Sequence, residues 1–173
     1  MCIGLMESDE FSRVWDIMQE SFPVDEHRPF NQQKELLRKQ EYKIYVLRNQ
    51  NTVQGFIAVW ELKSLLFIEH FAMDKACRNQ GLGSKLLSYI TNKYTQTICL
   101  EVEIPKDEIT CRRVEFYKRN GFYLNPYEYM QPPLSAGQKD VPLRIMTYKR
   151  EKTFEEFSSI RALLYKEVYR CDL

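Results

Sequence analysis

The sequence predicts a mixed α/β fold in a single domain. Apolar runs with helical spacing alternate along the chain with apolar runs typical of strands, which favours a sheet with helices packed on it. Its 173 residues match one domain rather than two, and the 44% of them that are hydrophobic can bury a full core. We find no internal repeat and no low-complexity tract that would indicate another architecture.

Two helices are predicted before the first strand. Ser8 can cap a helix whose apolar residues recur at helical spacing, namely Phe11, Val14, Trp15 and Met18. That helix ends ahead of Pro23, because proline disfavours helical backbone at the residue before it. A short polar helix follows at about residues 31–40.

Three strands come next, at residues 42–49, 53–62 and 65–73. Polar residues at 49–51 predict a hairpin turn between the first two. The third run is apolar on both faces except at Glu69 and His70, which is typical of a central strand covered on both sides. Because side chains alternate along a strand, we expect these two residues to point to opposite faces, with His70 a core histidine.

The alternation continues beyond the third strand. A helix begins after Gly81 and carries Leu82, Leu86, Leu87 and Ile90 on one face. A strand at 97–103 follows, and then a helix at about 109–120 that ends at Gly121, since glycine is a common helix stop. A brief strand at 122–125 leads into a long loop.

The chain closes with this loop, a strand and a helix. The proline-rich loop at 125–142 is predicted to act as a lid, because long irregular loops in compact domains tend to be functional. After a strand at 144–150, Thr153 and Glu156 form a capping box for a helix at about 153–169. Its apolar stripe consists of Phe154, Phe157, Ile160, Leu164 and Val168. The stripe favours packing within the chain and leaves a homodimer as the alternative.

Composition argues against several classes of function. The 25 Lys and Arg nearly balance the 24 Asp and Glu, so we expect no nucleic-acid partner. The N-terminus has no signal-peptide pattern and no run is long enough to span a membrane, so we expect no membrane association. Five cysteines without a C-x-x-C pair fit a reducing cytoplasm, and only two histidines make a metal site improbable.

The stretch CRNQGLGSKLL at residues 77–87 predicts an anion-binding loop. It follows a buried strand and opens a helix, a junction that directs backbone N–H groups and the positive end of the helix dipole at a ligand. Gly81 and Gly83 lack the Cβ atoms that would keep an anion away, and Arg78 adds a charge suited to phosphate. The spacing fits neither the P-loop nor the dinucleotide fingerprint.

Two segments together resemble the GNAT superfamily of N-acetyltransferases. Residues 78–83 match R-x-x-G-x-G, the acetyl-CoA signature, and the segment RRVEFYKRNGFYL at 112–124 resembles the F-Y-x-x-x-G-F helix of that family. The order of elements also fits over about residues 1–149. The resemblance implies a mainly antiparallel sheet, splayed between its fourth and fifth strands. We therefore expect one such domain over residues 1–173, with an extra C-terminal helix.

The resemblance also implies acetyl-CoA as the cosubstrate, with no metal. Its pantetheine arm would pair with the strand edge at Phe71, Ala72 and Met73. Its pyrophosphate would rest on the backbone amides of Arg78, Asn79, Gln80, Gly81, Leu82, Gly83 and Ser84. The protein's own tasks are then to deprotonate an amine, position it, and protonate the leaving thiolate.

Glu69 is the candidate general base. It interrupts an apolar strand, where a carboxylate is costly unless it is used or paired, and it matches the glutamate that many small-molecule members of the family use. Two alternatives stay open. Glu69 is satisfied by an arginine or by backbone groups, or Glu101 on the neighbouring strand is the base.

Tyr117 is the candidate general acid. It lies at the family position whose phenol points at the CoA sulfur, and a phenol is protonated at neutral pH. The alternative is an aromatic that packs beside Phe116 and Phe122. The chain departs from the family at Thr110 and Arg113, where an Asn and a small residue are usual, and the pair Arg112 and Arg113 could meet the cofactor's phosphates or be solvated.

The acceptor is expected to be a small-molecule amine. In this fold the loops at about residues 21–30 and 125–134 build the acceptor site, and Glu26, Arg28, Glu101 and Tyr129 are its candidate contacts. Carboxylates with aromatic side chains suit a cationic amine, although charged loops are commonly just solvated. Two other functions stay open, a protein N-terminal or lysine acetyltransferase and a non-catalytic acyl-CoA-binding module.

Overall fold

A computed structural model describes residues 1–171. The strands are β1 (Cys2–Leu5), β2 (Tyr42–Asn49), β3 (Thr52–Glu61), β4 (Leu65–Met73), β5 (Thr97–Glu103), β6 (Phe122–Leu124), β7 (Tyr129–Gln131) and β8 (Val141–Tyr148). The α-helices are α1 (Phe11–Ser21), α2 (Phe30–Glu35), α3 (Leu82–Lys93), α4 (Glu108–Arg119) and α5 (Phe154–Leu164). The chain divides into two compact units, residues 1–96 and the residues from Thr97 onward.

The first unit is an antiparallel meander of β1, β2, β3 and β4. Gln50 and Asn51 both have positive φ, which is the backbone of a tight hairpin turn between β2 and β3. Helices α1 and α3 pack on β3 and β4 and cover them with apolar side chains. Trp60, Phe56 and Phe67 are among the largest fully buried side chains.

A β-bulge interrupts the pairing of β3 with β4. Ala58 lies opposite His70 and Val59 lies opposite Ile68, so Glu69 is an extra residue between two paired ones. Such a bulge breaks the strict alternation of side chains. The predicted opposite orientation of Glu69 and His70 is therefore wrong, since Oε2 of the first lies 3.3 Å from Nδ1 of the second.

The second unit is built around β8. Strand β5 pairs with β8 in antiparallel register, and β6 and β7 also pair with β8 in antiparallel register. Asn125 is fully buried and fixes the end of this sheet, because its side-chain amide donates to the carbonyl of Ile145 and its Oδ1 accepts from the N–H of Lys152. Helix α4 packs against β5 and β6.

The predicted mixed, mainly antiparallel α/β fold is confirmed, with several local corrections. Ser8 does not cap the first helix; Glu7 and Glu10 form a capping box around the 3-10 turn that leads into α1. The short strands β1 and β7 were not predicted, and β7 lies inside the predicted loop at 125–142. Phe154 is 57% exposed and so lies outside the buried stripe of α5.

The predicted capping box of the last helix is confirmed, since Thr153 and Glu156 each accept from the other's backbone N–H. None of the helices within residues 1–171 has both the length and the hydropathy to cross a membrane.

Candidate active site

The glycine loop lies where the sequence predicted it, at the start of α3. Gly81 is the N-cap residue with φ +74°, a left-handed backbone that favours glycine. Asn79 is also left-handed, with φ +62°. No side chain caps the helix, so the first-turn N–H groups of Leu82, Gly83 and Ser84 have no acceptor within the helix. The exposed loop therefore offers backbone donors at the positive end of a twelve-residue helix.

Arg78 is held at the base of this loop. Its Nε donates to the carbonyl of Met73 at 3.0 Å, and its Nη2 donates to Oγ of Ser21 at 3.3 Å. A guanidinium has five N–H donors, so the two contacts leave others for an anion. Asp74 closes the preceding turn, because its Oδ1 accepts from the N–H of Ala76 and its other oxygen pairs with Arg13.

The strand segment that leads into the loop is fixed by β3. Phe71, Ala72 and Met73 lie opposite Ile57, Phe56 and Gly55. A Cβ at Gly55 would come within 2.3 Å of Sδ of Met73 and 2.9 Å of the carbonyl oxygen of Ala72. Gly55 thus permits a close approach of β3 to the last residues of β4, a requirement that the sequence analysis missed.

Glu69 lies in a buried ion pair with Arg28. Nη1 of Arg28 donates to Oε1 of Glu69 at 2.8 Å, and the two side chains are only 7% and 3% exposed. On the other side, Nε2 of His70 lies 2.7 Å from the backbone carbonyl of Glu26, and the ring packs edge-on against Phe22. Because a carbonyl only accepts, His70 Nε2 carries a proton. The bulge and the loop after α1 together assemble this polar cluster.

The charges in this cluster determine whether the Glu69 carboxyl is ionised. Burial alone would raise the pKa of the Glu69 carboxyl, but the Arg28 charge and the neighbouring His70 outweigh burial and lower that pKa to about 2. Burial together with the Glu69 charge also raises the pKa of Tyr42 well above its usual value. Glu69 is therefore an anion at neutral pH with an arginine partner, one of the alternatives that the sequence left open. Its role as a base stays a prediction.

Tyr117 lies on the inner face of α4 and is 7% exposed. Its ring contacts those of Phe116 and Phe122, with centroids 5.3 and 5.8 Å away. Burial raises the pKa of the Tyr117 phenol to about 12, against a smaller lowering by Arg113. The phenol is thus a protonated donor at neutral pH, as the proposed acid requires, and it packs among aromatics as the alternative requires.

The two departures from the family motif have structural partners. Thr110 forms the capping box of α4 with Asp107, so it replaces a usual asparagine with a helix cap. Arg113 pairs with the carboxylate of Glu103 on β5, within the same unit. The guanidinium therefore has a protein partner of its own rather than being simply solvated.

Glu101 and Tyr129, two candidate acceptor contacts, are brought together. The Tyr129 hydroxyl donates to Oε1 of Glu101 at 2.5 Å. Tyr169 donates to the same carboxylate, a contact that the sequence analysis missed because no local pattern links residues 68 positions apart. Among residues 1–171, no group of three or more His, Cys, Asp or Glu side chains could hold a metal ion.

Comparison with known proteins supports the motif-based resemblance. A family model described as an acetyltransferase (GNAT) domain matches residues 40–124. YjbC of Bacillus subtilis, classed as an acetyltransferase, is 25% identical in an alignment of 169 positions, and the match covers 82% of this chain and 85% of YjbC. A Bacteroides thetaiotaomicron protein assigned to the GNAT acetyltransferases superposes with a TM-score of 0.90 and 28% identity over 99% of this chain and all of its own.

Two more distant solved structures share the fold. The ribosomal-protein-S18-alanine N-acetyltransferase of Escherichia coli superposes with a TM-score of 0.67 and 17% identity, over 89% of this chain and 96% of its own. An aminoglycoside 6′-N-acetyltransferase complexed with coenzyme A superposes with a TM-score of 0.63 and 16% identity, over 88% and 99% of the respective chains. One neighbour is thus named for a protein acceptor and the other for a small molecule.

Proposed function

We propose that this chain, which resembles the GNAT acetyltransferases in its family-model match, its relatives and its fold, transfers the acetyl group of acetyl-CoA to the primary amine of a small molecule. The glycine loop carries this proposal. Its left-handed Gly81 opens α3 without a capping side chain, and the backbone donors of the first turn suit the pyrophosphate of CoA. A Cβ at Gly81 would meet no atom within 4 Å, so the space in front of the loop is open to a ligand.

Acetyl-CoA supplies an activated thioester, and the chain's own residues bind and orient it. The backbone amides from Arg78 to Ser84 would hold the pyrophosphate, together with the remaining N–H donors of the Arg78 guanidinium. The backbone of Phe71, Ala72 and Met73 would pair with the pantetheine arm in the manner of an added strand. Gly55 keeps that segment in place from the β3 side.

Glu69 is the proposed proton acceptor for the amine. With a pKa of about 2 it is a weak base toward an amine, whose pKa is roughly 10. The role therefore requires Arg28 to release the carboxylate when the acceptor enters, because burial then raises the pKa of Glu69 toward the working range of a base. Replacing Glu69 by Gln keeps the shape and removes the charge.

Tyr117 is the proposed donor to the leaving thiolate. A thiol pKa is roughly 8.5, so full proton transfer from a phenol with pKa about 12 is uphill by about 5 kcal/mol. We therefore assign Tyr117 a hydrogen bond to the developing negative charge on sulfur. Such a bond stabilises the transition state without moving the proton completely.

The direct test follows the release of the CoA thiol from acetyl-CoA with a thiol reagent. A panel of small primary amines, a peptide with a free N-terminal alanine, and an N-terminally blocked peptide with one lysine is presented separately. Thiol release with a small amine, and an acetylated product by mass spectrometry, is expected. Release only with a peptide would favour the protein-acceptor function. Binding of acetyl-CoA without release to any amine in a broad panel would favour a non-catalytic module.

A further inference from the structure

Four side chains of the second unit form a cluster around one carboxylate, which we call the tyrosine cluster: Glu101, Tyr129, Tyr165 and Tyr169. Tyr129 donates to Oε1 of Glu101 at 2.5 Å, and the Tyr169 hydroxyl lies 2.7 Å from Oε1 and 2.8 Å from Oε2. The Tyr165 ring bridges the other two, with centroids 5.9 Å from Tyr129 and 6.3 Å from Tyr169. Two phenol hydroxyls thus contact one carboxylate, and a third tyrosine ring packs between their rings.

The cluster depends on an unusual end to the last helix. Helix α5 passes into a π-helical turn at Tyr165–Tyr169, which stops at the left-handed Arg170 with φ +56°. π-Turns are rare and are frequent at functional sites. Two contacts fix the turn: the Tyr165 hydroxyl donates to the carbonyl of Met130 on β7 at 2.6 Å, and the N–H of Cys171 donates to the carbonyl of Tyr165 at 3.0 Å. The turn thereby brings Tyr169 onto Glu101.

Tyr129 and Tyr165 remain protonated donors. Burial raises the pKa of Tyr129 well above its usual value, and the charge of Glu101 raises it further. Burial likewise raises the pKa of Tyr165. Tyr129 is buried, whereas Glu101, Tyr165 and Tyr169 are only half-buried. Glu101 is therefore partly exposed rather than sealed in the core.

We propose that the tyrosine cluster binds the ammonium form of a primary amine. We propose further that the Tyr169 hydroxyl competes with this ammonium for the Glu101 carboxylate, a role that we call guarding. An ammonium group has three N–H donors that suit the two carboxylate oxygens, and tyrosine faces attract a cation. The Tyr169 hydroxyl spans both oxygens, so an entering ammonium takes the place of that hydroxyl on at least one of them. The inference rests on the proposed function only in identifying this amine with the acetyl acceptor.

The test measures binding without acetyl-CoA, by titrating the protein with n-butylamine at pH 7.5 and following its amide NMR signals. The matched uncharged probe is n-butanol. We expect n-butylamine to shift signals around the cluster and n-butanol to bind at least about tenfold more weakly, because the alcohol lacks the charge. Equal affinity for the two probes, or shifts only elsewhere on the protein, would overturn the proposal.

Two variants separate recognition from guarding. Glu101→Gln is expected to weaken n-butylamine binding at least about tenfold, since a charge-assisted contact is lost. Tyr169→Phe keeps the ring but removes the competing hydroxyl, and is expected to tighten binding roughly two- to tenfold. Glu103→Gln and Tyr123→Phe are the matched controls; Glu103 pairs with Arg113 and Tyr123 is 46% exposed, so neither should change binding.

Failure of the proposed amine site can be distinguished from failure of the proposed acetyl transfer. Wild-type affinity in Glu101→Gln, with an unchanged melting temperature, would remove the carboxylate from the site. Unchanged or weaker binding in Tyr169→Phe would remove the guarding role. If the probes bind as expected but no amine supports thiol release, the cluster is an amine site and the proposed acetyl transfer fails.

Discussion

The buried pair of Arg28 and Glu69 gives a quantitative prediction for folding stability. Arg28→Met keeps a long unbranched side chain but removes the charge that lies 2.8 Å from Oε1 of a carboxylate only 3% exposed. Breaking a buried pair in this way costs about 3–5 kcal/mol, because the remaining charge is buried without its partner. The pKa of Glu69 gives a similar figure: lowering it from 4.5 to about 2 corresponds to about 3 kcal/mol of stabilisation.

The sign of the pH dependence follows from the lowered pKa. In the wild type, this stabilisation is fully present above about pH 4.5 and is lost as the pH falls toward 2. In Arg28→Met burial raises the pKa of Glu69, so the carboxyl takes up a proton more readily. The free-energy cost of burying an unpaired carboxylate therefore becomes smaller as the pH falls. The stability gap between the two proteins is therefore largest at neutral pH and narrows on acidification.

Urea denaturation at pH 7 and pH 4 measures this gap. Arg150→Met is the matched control, because its pair with Glu156 is 57% and 37% exposed and solvent screens the attraction between exposed charges. We expect Arg28→Met to lose about 3 kcal/mol at pH 7 and clearly less at pH 4. A loss at pH 7 no larger than that of the control, or a gap that does not narrow in acid, would refute the electrostatic reasoning.

Three further predictions concern the candidate active site. Gly81→Ala and Gly137→Ala each place a Cβ in open space at positive φ, +74° and +86°, so each should cost about 1 kcal/mol in a thermal melt. Only Gly81→Ala should weaken acetyl-CoA binding, by roughly tenfold in a calorimetric titration. Equal affinity of Gly81→Ala and the wild type for acetyl-CoA would show that the loop is a turn without a binding role. Tyr117→Phe should lower kcat about 10- to 100-fold without changing acetyl-CoA affinity, whereas exposed Tyr123→Phe should not; equal rates would leave Tyr117 as packing. Glu69→Gln should reduce turnover strongly while acetyl-CoA still binds, and unchanged turnover would remove Glu69 from the mechanism.

Local patterns predicted the long elements well. The bounds of β2, β4 and β5 agree with the sequence because each is a run of apolar or alternating residues with a clear end. Strands β1 and β7 have only four and three residues, and they exist because β2 and β8 pair with them. Pairing between distant segments leaves no local period, so sequence reasoning did not reveal them.

The candidate site likewise has features that the local sequence predicts and features that depend on contacts between distant segments. The glycine loop is a local signal, since the turn, the left-handed backbone and the helix start all lie within a few residues. The relation of Glu69 to His70 depends on a bulge that only the register with β3 defines. The partners Arg28 and Tyr169 are 41 and 68 residues from the carboxylates they contact, and only the fold brings them there.

A thermal melt with acetyl-CoA, CoA and a nicotinamide dinucleotide tests the central claim most directly. A ligand at a hundred times its Kd stabilises the fold by about 2.7 kcal/mol, which raises Tm by roughly 5–10 °C for a chain of this size. We predict such a rise with acetyl-CoA and no comparable rise with the dinucleotide. No shift with acetyl-CoA, or an equal shift with the dinucleotide, would contradict the assignment of the glycine loop as an acyl-CoA site.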